Sequence, residues 1–493
     1  LSIHIIYRMI NEKYDEVYVE RFHLQKLYGS EPPARSLETN TPLKEYELII
    51  TSLHYEPMIA GLVRILYYSG LDPRRERRET PIIAGGPAIM ANPYPYSSVI
   101  DAFVIGEAET TLPRIIDAWL KHRDSKRGFL EEIASYKYVY VPGLTSGKVY
   151  REWVRDLNTT YYPLRQFMHT EKEPVFGKGF ILETSRGCRF WCRFCIEGRL
   201  FKPYRAKSYG VLKSLVQKGL SLNPVDKVTL YSLIFPSSSD ERRLLEYLAS
   251  NDIRASLPSM RMDYIDRDFL ELVKGIGQKT ITIAPETFSP YIQRIIGKYF
   301  KIDLLYPVVE NIISMGFDLK IYILYGIKGE TMEDIKTTIE TLKRIASSAK
   351  EKRVGVSISV NPLIPKPKTV FQWIGMVDLS RAQKILRYFR RELKGLVDTR
   401  PLDINWGWVQ ASIALGDERI SDILIEWGIE GGDLGSWRRV LRRRGFSTDY
   451  VFRGYELGKA LPWDNIVLYH DEDRILRSEY YLYEKLVYNS KSI

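Results

Sequence analysis

The chain has 493 residues, 45% apolar and 27% charged, a globular balance that excludes disorder, collagen and coiled coil as dominant classes. At one domain per ~150 residues this length predicts about three domains. The 72 basic and 61 acidic residues leave a net charge of +11, which bears on partners rather than fold, and their abundance beside 34 Tyr fits a hot-adapted protein.

Leu1, Ile5, Ile6, Met9 and Ile10 recur at helical spacing. The chain is therefore expected to open inside a helix, with a first strand upstream of Leu1. Strands are predicted at Glu16–Phe22, Leu48–Leu53, Pro81–Ala84 and Ala102–Ile105, and helices at Pro57–Tyr68 and Thr110–His122. This alternation predicts an α/β, doubly wound, Rossmann-like domain over residues 1–140. Asp72–Glu79 (DPRRERRE) reads as a charged surface loop. The pattern weakens over residues 141–178, where Pro163 and Pro174 mark a linker that packs.

A second series follows, with strands at Phe180–Glu183, Lys227–Tyr231, Arg254–Leu257, Thr280–Ala284, Lys320–Leu324 and Gly355–Val360. Helical stretches separate them. Six strand–helix repeats predict a partial (β/α)6 TIM-like barrel over residues 179–375, with chemistry at the carboxyl ends of its strands. After Trp373 the series is expected to stop. Residues 376–493 read as a small, separate, α-rich basic domain, placed to cover the barrel mouth. Within it, Arg381–Leu396 forms a basic helix and Trp437–Arg444 reads WRRVLRRR. Clustered arginine beside an aromatic suits RNA phosphates and stacked bases, such as those of tRNA or rRNA. The bland alternative is a solvated helix face paired with acids.

Cysteine usage is more specific. Cys188, Cys192 and Cys195 are the chain's only cysteines, in the run ETSRGCRFWCRFC at the end of the first barrel strand. An odd number within eight residues is no disulfide framework and points to a shared ligand in a reducing, cytoplasmic compartment. No signal peptide and no run approaching the ~18 apolar residues of a membrane span is visible. Thiolates ligate iron–sulfur clusters. Three of them on a four-iron cubane leave one iron open to chelate the amino and carboxylate groups of S-adenosylmethionine (SAM). A structural zinc site would take four protein ligands, and there is no fourth cysteine.

The Cys-x3-Cys-x2-Cys spacing, with Phe194 before the last cysteine, resembles the signature of the radical SAM superfamily. SLPSMRMD (Ser256–Asp263), APET (Ala284–Thr287), YGIKGET (Tyr325–Thr331), IPKPKTVFQW (Ile364–Trp373) and LPWD (Leu461–Asp464) extend the resemblance to members with an N-terminal cobalamin (B12)-binding domain. The resemblance implies a [4Fe-4S] cluster on Cys188, Cys192 and Cys195, with Phe194 near the adenine. It also implies SAM contacts from Ser256, Glu286 and Arg294, although Glu286 and Arg294 could equally form a structural ion pair. Where many members have Gly-Gly-Glu, this chain has SLIFPSSSD (Ser232–Asp240), so that Ser237, Ser238 or Ser239 would have to substitute.

The implied activity is reductive cleavage of SAM to a 5′-deoxyadenosyl radical, fed by an external electron donor such as ferredoxin or flavodoxin. Methylation of an unactivated carbon of a macromolecule, RNA in the first place, is the leading outcome. Ring contraction, reduction and carbon–carbon bonding are the runners-up. A non-catalytic RNA- or ribosome-binding protein is the rival of another class, and the intact cysteine triad argues against it.

In the N-terminal domain, Gly85, Gly86 and Pro87 follow one predicted strand, and Gly106 and Glu107 end the next. These loops are expected at the carboxyl edge of the sheet, where such folds bind ligands and a close approach requires residues without a Cβ. Ordinary tight turns would look the same, so the cobalamin role rests on the resemblance. The Asp-x-His-x-x-Gly signature of His-ligated cobalamin proteins is absent. Ser52 and His54, in ITSLHYE at a strand end, are the candidates to approach cobalt, although a lone histidine is more often a hydrogen-bonded structural residue.

Overall fold

The computed structural model describes residues 1–168 and 177–489. Residues 169–176, within the expected linker, lie outside the described residues.

Helix α1 (Ser2–Lys13) opens the chain. Strands β1 (Ile49–Ser52), β2 (Ile82–Gly85) and β3 (Ala102–Val104) follow in parallel and in chain order, and β4 (Val139–Tyr140) adds antiparallel to β3. Alternation decides which face each residue serves. Ile82, Ala84 and Phe103 join Ile59, Val63 and Leu66 of α2 (Met58–Tyr68) in one core. Ile83, Ala102 and Val104 join Met9 and Ile10 of α1, Ile115 and Trp119 of α3 (Ala108–Lys121), and Phe129 of α4 (Lys126–Ala134) in another. Helices thus cover both faces, as a doubly wound sheet requires.

The strand predicted at Glu16–Phe22 does not form. The backbone of Val19 bonds instead to the Asn11 side chain, donating to Oδ1 at 2.9 Å and accepting from Nδ2 at 3.0 Å. Period-2 patterning makes a strand only where a neighbouring strand supplies the ladder.

The barrel begins with β5 (Phe180–Glu183), β6 (Lys227–Tyr231) and β7 (Arg254–Ser256), all parallel. A second parallel sheet holds β8 (Thr280–Glu286), β9 (Asp318–Tyr325), β10 (Val356–Pro362) and β11 (Asp398–Pro401). One parallel bridge, Met260 to Ile283, joins the two, making an arc of seven strands in chain order among the described residues. One core runs through both sheets, from Phe180 to Phe389.

The series therefore does not stop at Trp373. Helix α5 (Leu379–Glu392) buries Ala382, Ile385, Leu386 and Phe389 on the barrel and leads into β11. Its charged outer face hid the apolar stripe, and β11 reads Asp-Thr-Arg-Pro, with no β pattern to find.

The C-terminal helices are not a separate unit. Helices α6 (Ile404–Ala414), α7 (Ser421–Ile429) and α8 (Leu434–Arg444) contribute Val409, Leu424, Trp427 and Trp437 to the same core as α2. A Cβ on Gly428 would lie 2.6 Å from the Val63 Cβ, so glycine lets α7 settle directly on α2. These three helices pack on helix α2 of the N-terminal sheet, whereas Val451 joins the barrel core and Tyr483 of the last helix packs with Ile292 and Ile295 beside the cysteine loop. Among the described residues no helix is long and apolar enough to cross a membrane.

Candidate active site

The cysteine loop hangs from the carboxyl end of β5 on a short antiparallel pair, Ser185–Arg186 with Arg205–Ala206. Gly187 turns the chain into the loop at φ +90°, and a Cβ there would meet the Phe201 carbonyl oxygen at 2.4 Å, so only glycine fits before Cys188. Gly198 lies against both ends of the loop: a Cβ on it would be 3.7 Å from Cys188 Cβ and 3.9 Å from Cys195 Sγ. The Cys195 N–H donates to the Cys192 carbonyl at 3.1 Å, closing a turn.

Arg193 moors the loop to the helix Pro290–Ile296. Its N–H donates to the Ile296 carbonyl at 2.8 Å, and its guanidinium donates to the Arg294 carbonyl at 2.6 Å and pairs with Glu479 at 2.7 Å. Phe194 packs against the apolar cluster of Ile292, Ile295, Ile327 and Leu363.

The surroundings of the thiols are cationic. Lys202 sits 3.3 Å from the Trp191 ring centre and Arg261 sits 3.8 Å from that of Phe190. Burial pushes the Cys192 thiol up while Lys298 and Arg261 pull it down, and burial pushes Cys195 up to about 12. Burial lowers Lys202 to about 8, with Cys188 acting in the opposite sense.

Ser256 ends β7 and Glu286 ends β8, so both lie at the carboxyl edge of the arc with the cysteine loop. Glu286 has φ +68°, where the β8–β9 register shifts, a strained backbone of the kind that clusters at functional sites. Its carboxylate binds Lys298 at 2.8 Å. The alternative of a Glu286–Arg294 ion pair is not realised, and Arg294 is exposed.

The serine run is occupied internally. Ser238 caps the helix Ser239–Ser250. Ser237 donates to Glu241 through its N–H and its hydroxyl, and it also meets the Tyr204 hydroxyl. Glu241 is fully buried and also accepts from Thr184 and Ser185 at 2.5 and 3.2 Å. Ser237 and Ser238 therefore brace the strand ends instead of replacing the expected carboxylate.

At the N-terminal sheet the glycines divide. Gly86 has φ +102°, and a Cβ would lie 2.7 Å from the Leu53 carbonyl oxygen, with Pro87 opening the next helix. A Cβ on Gly106 would lie 2.6 Å from the Glu152 carbonyl oxygen, since the two residues bridge in parallel. Both glycines serve close approaches within the chain. Gly85 alone of the three leaves its Cβ position open, with the nearest atom 3.8 Å away. His54 shares its Nε2 with the hydroxyls of Ser52 at 3.1 Å and Ser2 at 2.9 Å, which is the hydrogen-bonded role.

Glu107 is not a free ligand either. It is buried and binds Arg205 and Arg186 at 2.8 Å each and the Val154 N–H at 3.0 Å. Burial alone would raise its carboxyl, but Arg205 and Arg186 outweigh burial and hold it below the usual carboxylate range. Arg186 also binds Glu109 and Glu183, and Lys207 reaches Glu183. Sequence reasoning missed this network. Its signal was the unusual charge in ETSRGC, within a strand end otherwise apolar.

Comparison with known proteins identifies the parts. The family described as radical SAM proteins, N-terminal, matches residues 2–142, and the radical SAM superfamily matches residues 182–342. An uncharacterized protein of Methanocaldococcus jannaschii is 30% identical over 83% of this chain and 86% of its own length. An uncharacterized methyltransferase of Pyrococcus horikoshii is 26% identical over 54% of this chain and only 58% of its own. Among solved structures, the radical S-adenosylmethionine methyltransferase TsrM from Kitasatospora setae is 13% identical, covering 65% of this chain and 62% of that one, with a TM-score of 0.46.

A radical SAM domain takes a [4Fe-4S] cluster and SAM, and the donor chemistry fits. The chain's three thiols all lie in one loop, two of them around one glycine, and the cationic Lys202, Arg261 and Lys298 suit an anionic thiolate cluster. With one relative aligned over most of both chains and the radical SAM match lying on the barrel, this chain belongs to the radical SAM superfamily and is a radical SAM enzyme.

Proposed function

We propose that the enzyme methylates an unactivated carbon of a macromolecule, with cobalamin at the carboxyl edge of the N-terminal sheet as methyl carrier. The observation that carries this reading is the Arg186–Glu107 bond. It fastens the loop after β3 to the arm that carries Cys188, so the carboxyl edge of the N-terminal sheet adjoins the cysteine loop. The methyltransferase name of the Pyrococcus horikoshii relative supports the reaction class.

In this reading Cys188, Cys192 and Cys195 hold the cluster, and Phe194 flanks the adenine. Bound together, cluster and SAM supply reductive cleavage of a carbon–sulfur bond when an external electron donor delivers an electron. The chain's own part is placement. Arg193 fixes the loop, Lys202, Arg261 and Lys298 offset negative charge, and Ser256 and the Glu286–Lys298 pair offer polar contacts at neighbouring strand ends. Residues 1–140 form the corrin domain, where Gly85 provides a surface without a Cβ.

Structured RNA is the substrate class we carry forward, on narrower support than the sequence offered. Arg438, Arg439, Arg442, Arg443 and Arg444 are all exposed on α8, but Trp437 is fully buried and offers no stacking face. Arg443 and Arg444 are paired with Glu426, Arg439 and Arg443 reach Glu430, and α8 packs with the N-terminal core.

Anaerobic titration with hydroxocobalamin tests the carrier. The expected result is saturable, base-off binding followed by ultraviolet–visible absorption. Absence of binding by the cluster-loaded enzyme would overturn the cobalamin reading while leaving SAM cleavage in place.

A further inference from the structure

Buried cations in this chain are matched with carboxylates, with one exception. Among the described residues Glu31 serves Arg64, Asp101 serves Arg78, Glu107 serves Arg151 and Arg205, Glu479 serves Arg193, Glu183 serves Lys207 and Glu472 serves Lys368, all within 3.8 Å. Arg199 is as buried as any of them, at 1% exposed, and no carboxylate among the described residues pairs with it. Glu197, two residues earlier, starts the same helix, where residues two apart do not face each other. The Arg199 Nη1 donates to the Tyr469 hydroxyl at 3.3 Å, while Nε and Nη2 have no hydrogen-bond partner among the described residues. A charge held out of water without a partner is costly, and an orphaned buried donor calls for an explanation.

Its position supplies one. Arg199 lies in the helix Glu197–Leu200, directly after the cysteine loop. It follows Gly198, whose Cβ position is 3.7 Å from Cys188 Cβ and 3.9 Å from Cys195 Sγ. Its guanidinium carbon is 5.6 Å from the centre of the Trp191 ring, and Trp191 adjoins Cys192. The unmatched guanidinium thus sits against the loop that carries all three thiols.

We propose that Arg199 is the buried counter-ion of the iron–sulfur cluster, a positioning residue that acts through space to raise the cluster's reduction potential. Three thiolates around a four-iron core make an anionic assembly, and it gains one further negative charge when the external donor delivers its electron. A fixed positive charge in a water-poor site favours the more negative form, and cluster potentials follow local charge and solvent exposure. Arg199 itself takes up and releases neither proton nor electron. Its charge is unmatched in the chain alone, matched in the loaded enzyme, and matched best after reduction. This role rests on the placement of the cluster on Cys188, Cys192 and Cys195, and on neither the cobalamin nor the RNA reading.

Arg199→Met keeps an unbranched side chain and removes the charge. In the anaerobically reconstituted enzyme, a redox titration followed by electron paramagnetic resonance reads the ratio of reduced to oxidised cluster. At the parent's midpoint that ratio should fall about tenfold in the variant, a shift of about 59 mV to lower potential for one electron. Arg199→Lys should recover most of the loss. Without the cluster the order reverses: the Met variant should be at least as stable as the parent to denaturant, because an unmatched buried charge is gone. Arg199→Gln can keep the Tyr469 bond without the charge, and it takes the place of the Met variant if that form does not load. A neutral variant whose ratio stays within twofold of the parent would overturn the proposal, as would neutral variants that fail to fold or lose stability without the cluster. A full cluster retained in a Cys→Ala variant would instead defeat the ligand placement on which the role stands.

Discussion

Glu107 Oε2 and Arg186 Nη1 lie 2.8 Å apart, both nearly inaccessible to water, although 79 residues separate them in the chain. One belongs to the N-terminal sheet and the other stands two residues before Cys188. The pair makes the two halves of the enzyme one electrostatic unit.

Removing one partner of a buried pair leaves the other charge uncompensated, at a cost of about 3–5 kcal/mol. Glu107→Gln leaves Arg186 and Arg205 without that carboxylate. The expected outcome is a loss of stability of that order by denaturant titration, with most of the effect retained when the cluster is absent. A Glu107→Gln enzyme as stable as the parent would show that the network does not join the domains.

Gly85 and Gly86 should respond oppositely. Gly86→Ala meets backbone atoms and a left-handed φ, a strain of order 1–3 kcal/mol before any clash is counted. Gly85→Ala meets nothing closer than 3.8 Å and should change stability by less than about 1 kcal/mol. Loss of corrin binding in a stable Gly85 variant then reports a ligand surface, whereas loss in a Gly86 variant reports the fold. Denaturant midpoints of the two variants, measured without cofactor, check the difference.

The cysteine motif, both sheets and most helices were legible because local spacing encodes them. The placement of Glu107 was not, because a carboxylate's partner 79 residues away leaves no trace in spacing. Its position after β3 fitted a ligand site as well as it fitted an ion pair. At Gly86 and Gly106 a Cβ is excluded by a close approach within the chain, a requirement that reads in sequence just as an approach to a ligand does. β11 escaped because an edge strand of Asp-Thr-Arg-Pro carries no apolar alternation. Residues 16–22 misled in the opposite sense, since their pattern is that of a strand but no strand pairs with them among the described residues.

The acid limb of stability should follow Glu183. Burial would raise its carboxyl, but Arg186 and Lys207 hold it at about 2, well below the ordinary value of 4.5. A depressed carboxylate stabilises the fold above its unfolded value, and that contribution is lost as pH falls through the folded one. The melting temperature of the cofactor-free chain should therefore fall as pH drops from about 4.5 toward about 2. A Glu183→Gln variant should show a flatter decline across the same window. Parallel curves for parent and variant would contradict the assignment.

Helix α8 offers a direct test of the substrate class. Arginine–phosphate contacts release counterions, so RNA affinity should fall steeply with salt. Reversing Arg438, Arg439 and Arg442 to Glu should lower affinity and reduce the slope of log affinity against log salt by about 2–3 if each contacts phosphate. An unchanged slope would make α8 a solvated face and leave a peptide or lipid as the acceptor.

The most direct test of the central claim is a single anaerobic experiment on the reconstituted enzyme, measuring iron, sulfide and 5′-deoxyadenosine after addition of SAM and reductant. The account predicts one four-iron cluster per chain and accumulation of 5′-deoxyadenosine. Both should be abolished when any one of Cys188, Cys192 or Cys195 is changed to Ala, since the chain has no other thiol. A full cluster retained in a Cys→Ala variant, or a loaded parent enzyme that leaves SAM intact, would contradict it.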